Sequence, residues 1–204
     1  MKFSIMFRIL PNYGNFILHV LFFEIIYFFL GFKQSSINIL NNEKQSDNIP
    51  CPYFFLYKIK KFFLNEKINS LIDLGCGGGR ALYFFKKYKK INYYGIENNN
   101  NIYNGCKKLF EKDKNITIYN EDIMSLKFLN YNNDCFFIND PLKKKEDFDK
   151  LISNIFKKNE NDRKIYFILV NLDENKRQIF NSCKLIEFFQ IKTKGYYIYS
   201  NEKK

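Results

Sequence analysis

The chain has no tryptophan, a single histidine (His19), four prolines and nine glycines in 204 residues. One histidine excludes a histidine-rich metal centre and any triad whose base is not at position 19, so chemistry falls to carboxylates, amides, hydroxyls, lysines or a cofactor. Arginine is scarce as well. Arg8, Arg80, Arg163 and Arg177 are the only ones, although Lys and Arg total 33 against 21 Asp and Glu, a formal charge of +12. Such a balance points to nucleic acid or an anionic membrane. A phosphate-reading surface, however, favours the planar two-bond grip of arginine. Here the lysines come with abundant Asn, Ile, Phe and Tyr, a bias that looks like A/T-rich coding and acts along the whole chain, so the charge is a weak partner signal. Five cysteines (Cys51, Cys76, Cys106, Cys135 and Cys183) are odd in number and form no CxxC pair. That argues against zinc and against a disulfide framework, and implies a reducing, cytoplasmic compartment.

What is present is apolar surface. Hydrophobic residues make up 46% of the chain, enough for one core, which excludes a disordered tail and a multidomain machine. The most apolar stretch, residues 16–32 (FILHVLFFEIIYFFLGF), approaches the roughly 20 residues that cross a bilayer. His19 and Glu24 lie inside it, and a carboxylate near the centre of a membrane helix costs about 2.5 to 3.5 kcal/mol. The stretch reads as a helix docked on the domain, with a membrane anchor, an interfacial helix and a targeting peptide as the alternatives. Residues 34–48 are polar and aperiodic. The chain thus divides into an N-terminal apolar helix with its connection, 1–49, and a domain from 50 to 204.

That domain opens with a helix over 53–64, whose Phe54, Phe55, Ile59, Phe62 and Phe63 recur near a 3.6-residue period. Apolar runs then appear at 70–74, 92–96, 116–119, 135–138 and 164–170, separated by helical patterns at 80–88, 102–110, 145–156 and 174–181. Five such alternations predict a parallel sheet covered on both faces. Two β-rich runs, 185–192 and 196–200, end the chain with Thr193, Lys194 and Gly195 between them, a spacing that allows only an antiparallel hairpin.

The densest chemical signal is LIDLGCGGGR, residues 71–80, between the first strand and a helix. Ligands of open α/β sheets sit beyond the carboxyl ends of the strands, and Gly75, Gly77 and Gly79 would let backbone approach one closely. A dinucleotide turn requires G-x-G-x-x-G or A, but the third position falls on Arg80 in one register and Leu82 in the other. A P-loop fails too, since no Gly-Lys-Ser or Gly-Lys-Thr follows. Glu97 ends the second strand, 18 positions after Gly79, and one carboxylate can accept from two hydroxyls at once. NEDIMSL follows the third strand and FFINDPL ends the fourth.

With Asp73 two positions ahead of G-x-G-x-G, the chain from about 50 to 200 resembles the class I S-adenosylmethionine-dependent methyltransferases. Arg80 after the third glycine is similar to their small GxGxGR-type members. The resemblance implies a Rossmann-like, seven-stranded, mostly parallel sheet with a terminal antiparallel hairpin, helices on both faces and an N-terminal helical extension. It implies S-adenosyl-L-methionine as cofactor, and the lone histidine and scattered cysteines leave no metal site to expect. Asp73 and the backbone of Gly75, Cys76, Gly77 and Gly79 would border its methionyl part, with the helix from Arg80 directing N–H groups to the carboxylate. Glu97, with Asn98 after it, would hold the ribose. Asp122 would accept from the adenine amine, with Glu121 as competitor, and the Ile123 N–H would reach the ring. IPCPY and EIIYFFLGFKQSS look like the cap segment of the same group, which would bring Tyr53 near the cofactor mouth.

At the methyl exit, Asn139 and Asp140 are the catalytic candidates, the first to orient an amine and the second to take a proton or balance a cation. Enzymes that methylate nucleobase amines carry a Pro-Pro-aromatic clamp here. Asp140 and Leu142 replace its first proline and its aromatic, which favours a protein or small-molecule acceptor over nucleic acid. A protein lysine N-methyltransferase is the runner-up. A non-catalytic basic binding module that keeps the fold is the reading from outside enzymology.

Overall fold

The computed structural model describes residues 14, 16–31, 49–130, 133–159 and 163–203; the polar connection at 34–48 lies outside them. Seven strands form one sheet in the order β3-β2-β1-β4-β5-β7-β6. They are β1 (Ser70–Leu74), β2 (Asn92–Ile96), β3 (Ile116–Tyr119), β4 (Cys135–Ile138), β5 (Tyr166–Val170), β6 (Cys183–Ile191) and β7 (Lys194–Lys203). The first five are parallel, and β7 lies antiparallel between β5 and β6. Every residue of β1, β4 and β5 is buried, as central parallel strands covered on both faces require.

The helices that cover the sheet are α1 (Ile17–Phe29), α2 (Tyr53–Asn65), α3 (Arg80–Lys86), α4 (Asn100–Leu109), α5 (Lys145–Lys158) and the short α6 (Glu174–Arg177). Strand alternation divides the core in two. Leu71, Cys135, Phe137 and Ile168 point to the layer of α1, α2 and α3, where Phe63 and Phe85 meet at 4.7 Å between ring centroids. Ile72, Leu74, Phe136 and Phe167 point to the layer of α5, with Phe136 stacked on Phe167 at 5.4 Å. Asp73, two residues from Leu71, therefore faces the first layer.

Two elements differ from the sequence expectation. The helix expected over 174–181 stops at Arg177 and continues as a 3-10 turn, Gln178–Phe180. The final hairpin turns at Lys192 and Thr193, one residue earlier than the glycine suggests, because Lys192 itself takes the left-handed conformation (φ 50°). Gly195 then belongs to β7, where a Cβ would lie 2.3 Å from the Phe189 carbonyl oxygen. Its small size serves strand contact instead of the turn.

Helix α1 docks by one face. Tyr27 stacks on Tyr53 at 5.0 Å and Phe23 meets Phe54 at 5.5 Å, while Leu18, Phe22, Ile25 and Phe29, one helical stripe, face outward. No described helix is long and apolar enough to cross a membrane.

Candidate active site

The strand order reverses at β1, which has β2 on one side and β4 on the other, so a crevice opens at the carboxyl ends of these three strands. The glycine bend occupies it. Gly75, Gly77 and Gly79 all have positive φ (81°, 54° and 78°), a conformation that costs a residue with a Cβ roughly 1–2 kcal/mol. The end of β2 anchors the bend, with the Ile96 carbonyl accepting from the N–H groups of Gly75 (3.0 Å) and Cys76 (2.9 Å). Part of the demand for glycine is internal packing. A Cβ at Gly75 would come within 2.9 Å of Pro141, and one at Gly79 within 2.6 Å of Phe110. The Cys76 side chain is buried towards Gly95 of β2, so this residue presents only backbone to the crevice.

Glu97 ends β2 and is 8% exposed. One carboxylate oxygen accepts from the Gly77 N–H at 3.0 Å and the other from the Asn99 N–H at 2.8 Å. The carboxylate therefore ties the glycine bend to the start of α4, whose N-terminal N–H groups are capped by the Asn99 side chain (3.1 and 3.2 Å). Burial raises the Glu97 pKa, and the N–H groups of Asn99, Gly77 and the exposed Asn98 oppose that rise. Asp73 has no such support. It is 3% exposed and accepts no hydrogen bond among the described residues, and burial, with the nearby Glu97 charge, raises its pKa from 3.8 to about 8.

Arg80 opens α3 and is 6% exposed. Its Nη1 donates to both Glu24 oxygens (3.0 and 2.9 Å) and to the Cys51 carbonyl (3.4 Å), and the guanidinium lies 4.5 Å from the centre of the Tyr53 ring. Its Nε is buried without a partner among the described residues. Burial pushes the Cys51 thiol up, the Arg80 charge opposes that rise, and the Glu24 and Asp73 charges add to it.

Asp122 and Ile123 follow β3. Asp122 is exposed and caps its own 3-10 turn, accepting from the Met124 N–H at 2.8 Å, while Ile123 is buried at 8%. No hydrogen bond among the described residues joins Asp122 to Glu97 or to the glycine bend.

Asn139 and Asp140 leave β4 beside the bend, with Pro141 against Gly75. The Asn139 amide is already engaged at both ends. Its Nδ2 donates to the Ile49 carbonyl (2.8 Å) and its Oδ1 accepts from Asn171 Nδ2 (3.0 Å), which braces the chain before α2 to the ends of β4 and β5. Asp140 sits at positive φ (43°) and accepts from the Lys176 ammonium at 2.5 Å. Lys176 also donates to the Leu142 carbonyl at 2.6 Å. Burial raises the Asp140 pKa and Lys176 works against it. Sequence reasoning missed Lys176, Asn171 and the partnership of Glu24 with Arg80. Asp173, which caps the turn that carries Lys176, is the only local signal for the first.

Residues 71–158, which span β1 to α5, match the sequence model of a family described as a methyltransferase domain. This segment holds the glycine bend, Glu97, Asp122 and the Asn139–Asp140 pair. No curated protein matches the chain significantly. Among solved structures, the chain is similar in fold to an RNA methyltransferase from Salinibacter ruber in complex with S-adenosyl-L-homocysteine. The TM-score is 0.58 at 12% identity, over 76% of this chain and 95% of that one. A SAM-dependent methyltransferase from Aquifex aeolicus gives 0.53 at 14% identity, over 71% and 88%. The N-methyltransferase NodS from Bradyrhizobium japonicum WM9 gives 0.54 at 10%, over 72% and 93%.

Proposed function

We propose that the chain is a small GxGxGR-type methyltransferase that uses S-adenosyl-L-methionine to methylate a nitrogen or oxygen acceptor. The observation that carries this reading is the buried Glu97 carboxylate, held by one backbone N–H from the glycine bend and one from the start of α4. Each of its oxygens keeps lone-pair capacity for a hydroxyl, so the group suits a ribose diol. Two further groups have unmet demands. Among the described residues, Asp73 is a buried carboxylate without a hydrogen bond to its side chain, and Arg80 Nε is a buried donor without an acceptor. An amino acid's ammonium and carboxylate answer both, so a nucleoside that carries an amino acid fits the residues present. Asp122 and Ile123, at the rim after β3, stand ready for its base.

When bound, this cofactor supplies an electrophilic methyl group on a sulfonium. The chain's own task is then to align an acceptor lone pair and to remove a proton. Asp140 suits the second part, since Lys176 holds its carboxylate in place while leaving it 30% exposed. Asn139 acts as a brace for the exit with the geometry described above. A partly exposed carboxylate at the exit supports an amine acceptor, a protein lysine among them. The missing aromatic plate speaks for protein or small molecules over a flipped nucleobase.

Titration calorimetry with S-adenosyl-L-methionine tests the cofactor. A dissociation constant near micromolar, about −8 kcal/mol, is expected, and no binding at millimolar concentration refutes the reading. Transfer of labelled methyl into fractionated lysate, followed by protease or nuclease digestion, identifies the acceptor class. Label that nuclease releases would overturn the preference for protein or small molecules.

A further inference from the structure

Glu24 lies inside the most apolar helix of the chain, yet its carboxylate reaches inward. It accepts from Arg80 Nη1 through both oxygens, at 3.0 and 2.9 Å, and from the Tyr53 N–H at 2.9 Å. Helix α2 begins after Pro52, whose ring carries no acceptor to cap it, so Glu24 fills the place of the cap from 29 residues upstream. Three elements thus converge on one carboxylate: α1, the start of α2, and the arginine that follows the glycine bend. The Tyr53 ring lies against the guanidinium at 4.5 Å and stacks on Tyr27 of α1 at 5.0 Å. A cluster of this kind fixes the direction of Arg80. Of the three groups that restrain it, Glu24 belongs to α1, Tyr53 is packed on α1 through Tyr27, and only the Cys51 carbonyl lies apart from that helix.

We propose that Glu24 is a positioning residue for the cofactor site, and that docking of α1 and binding of the nucleoside are energetically coupled through Arg80. The inference rests on the cofactor reading above and extends it to a helix outside the matched domain. Coupling is reciprocal by thermodynamic necessity. If seated α1 orients Arg80 for the nucleoside, bound nucleoside must hold α1 more firmly. A helix that merely covers apolar surface would open locally with the same free energy with or without ligand.

The test is hydrogen exchange of the full chain with and without S-adenosyl-L-homocysteine, joined to calorimetry on wild type, Glu24→Gln and Glu24→Asp. The expected result has three parts. Ligand slows exchange of amides in 17–29 at least tenfold. Glu24→Gln weakens ligand binding by tenfold or more and abolishes that slowing. Glu24→Asp, which keeps the charge, recovers part of both. If wild type binds ligand while exchange in 17–29 stays unchanged, or if Glu24→Gln binds within twofold of wild type, the coupling is refuted and the cofactor reading stands. If wild type binds neither the sulfonium nor the thioether nucleoside at millimolar concentration, the cofactor reading itself fails. Should Glu24→Gln not fold, the exchange experiment on wild type decides alone.

Discussion

Asp73 offers the sharpest quantitative test, because its carboxyl is buried and no described residue gives its charge an ion pair or a hydrogen bond. Its pKa rises from 3.8 to about 8 in the folded chain. Between these values the folded state keeps a proton that the unfolded state has lost, so stability falls as pH rises. Below about pH 4 both states are protonated and the penalty is absent; above about pH 8 both are ionised and it is constant. One pKa unit is worth about 1.4 kcal/mol, so the full penalty is on the order of 5 kcal/mol. Asp73→Asn keeps the shape and removes the titration. Urea unfolding of both proteins from pH 4 to pH 9 should show their stabilities diverging by about 1.4 kcal/mol per unit across the window, the variant gaining at high pH. Parallel curves would refute the claim that this carboxylate is buried uncompensated. The same group predicts that S-adenosyl-L-methionine, whose ammonium supplies the missing charge, binds at pH 7 with release of a proton. Calorimetry in buffers of different ionisation enthalpy reads that number directly.

Glu97→Ala removes two charge-assisted bonds worth roughly 1.5 to 3 kcal/mol each and should weaken cofactor binding by one to a few decades; unchanged affinity would remove Glu97 from the site. Gly79→Ala puts a Cβ 2.6 Å from Phe110 at φ 78° and should cost about 2–4 kcal/mol in urea unfolding. Gly105→Ala, inside α4 with nothing within 4 Å, should instead stabilise by roughly 0.5–1 kcal/mol, and equal effects at the two glycines would contradict the packing described. Lys176→Met leaves Asp140 without its cation. Because Asp140 is partly exposed, the loss belongs at the low end for broken buried pairs, about 3 kcal/mol, and pairing the change with Asp140→Asn, which tolerates the positive φ, should restore much of it in a double-mutant cycle.

Sheet and glycine bend were legible because each rests on a local pattern. Buried parallel strands must be apolar throughout, which marked β1, β4 and β5 to within two residues. The left-handed turn after β1 demands glycine, and Glu97 stands where a strand ends. The partnerships were not legible, since they join residues far apart in sequence. Nothing in FILHVLFFEIIYFF says that its one carboxylate will meet Arg80, 56 residues later. Lys176 looks like any surface lysine of the last turn, and its burial depends on Asp140 turning back at positive φ. Asn139 reads as a free amide in FFINDPL, and only the fold engages it with Ile49 and Asn171. The bland appearance of Gly195 misled in the other direction: a turn residue by habit, it serves a strand that runs close to its neighbour.

The contact of Pro141 with Gly75 has a mechanical consequence. The peptide that would greet an acceptor is packed against the peptide that would cradle the nucleoside, with no room for a methyl group between them. Neither residue can take a bulkier neighbour here without displacing the other, so the bend after β1 and the segment after β4 are packed as one piece.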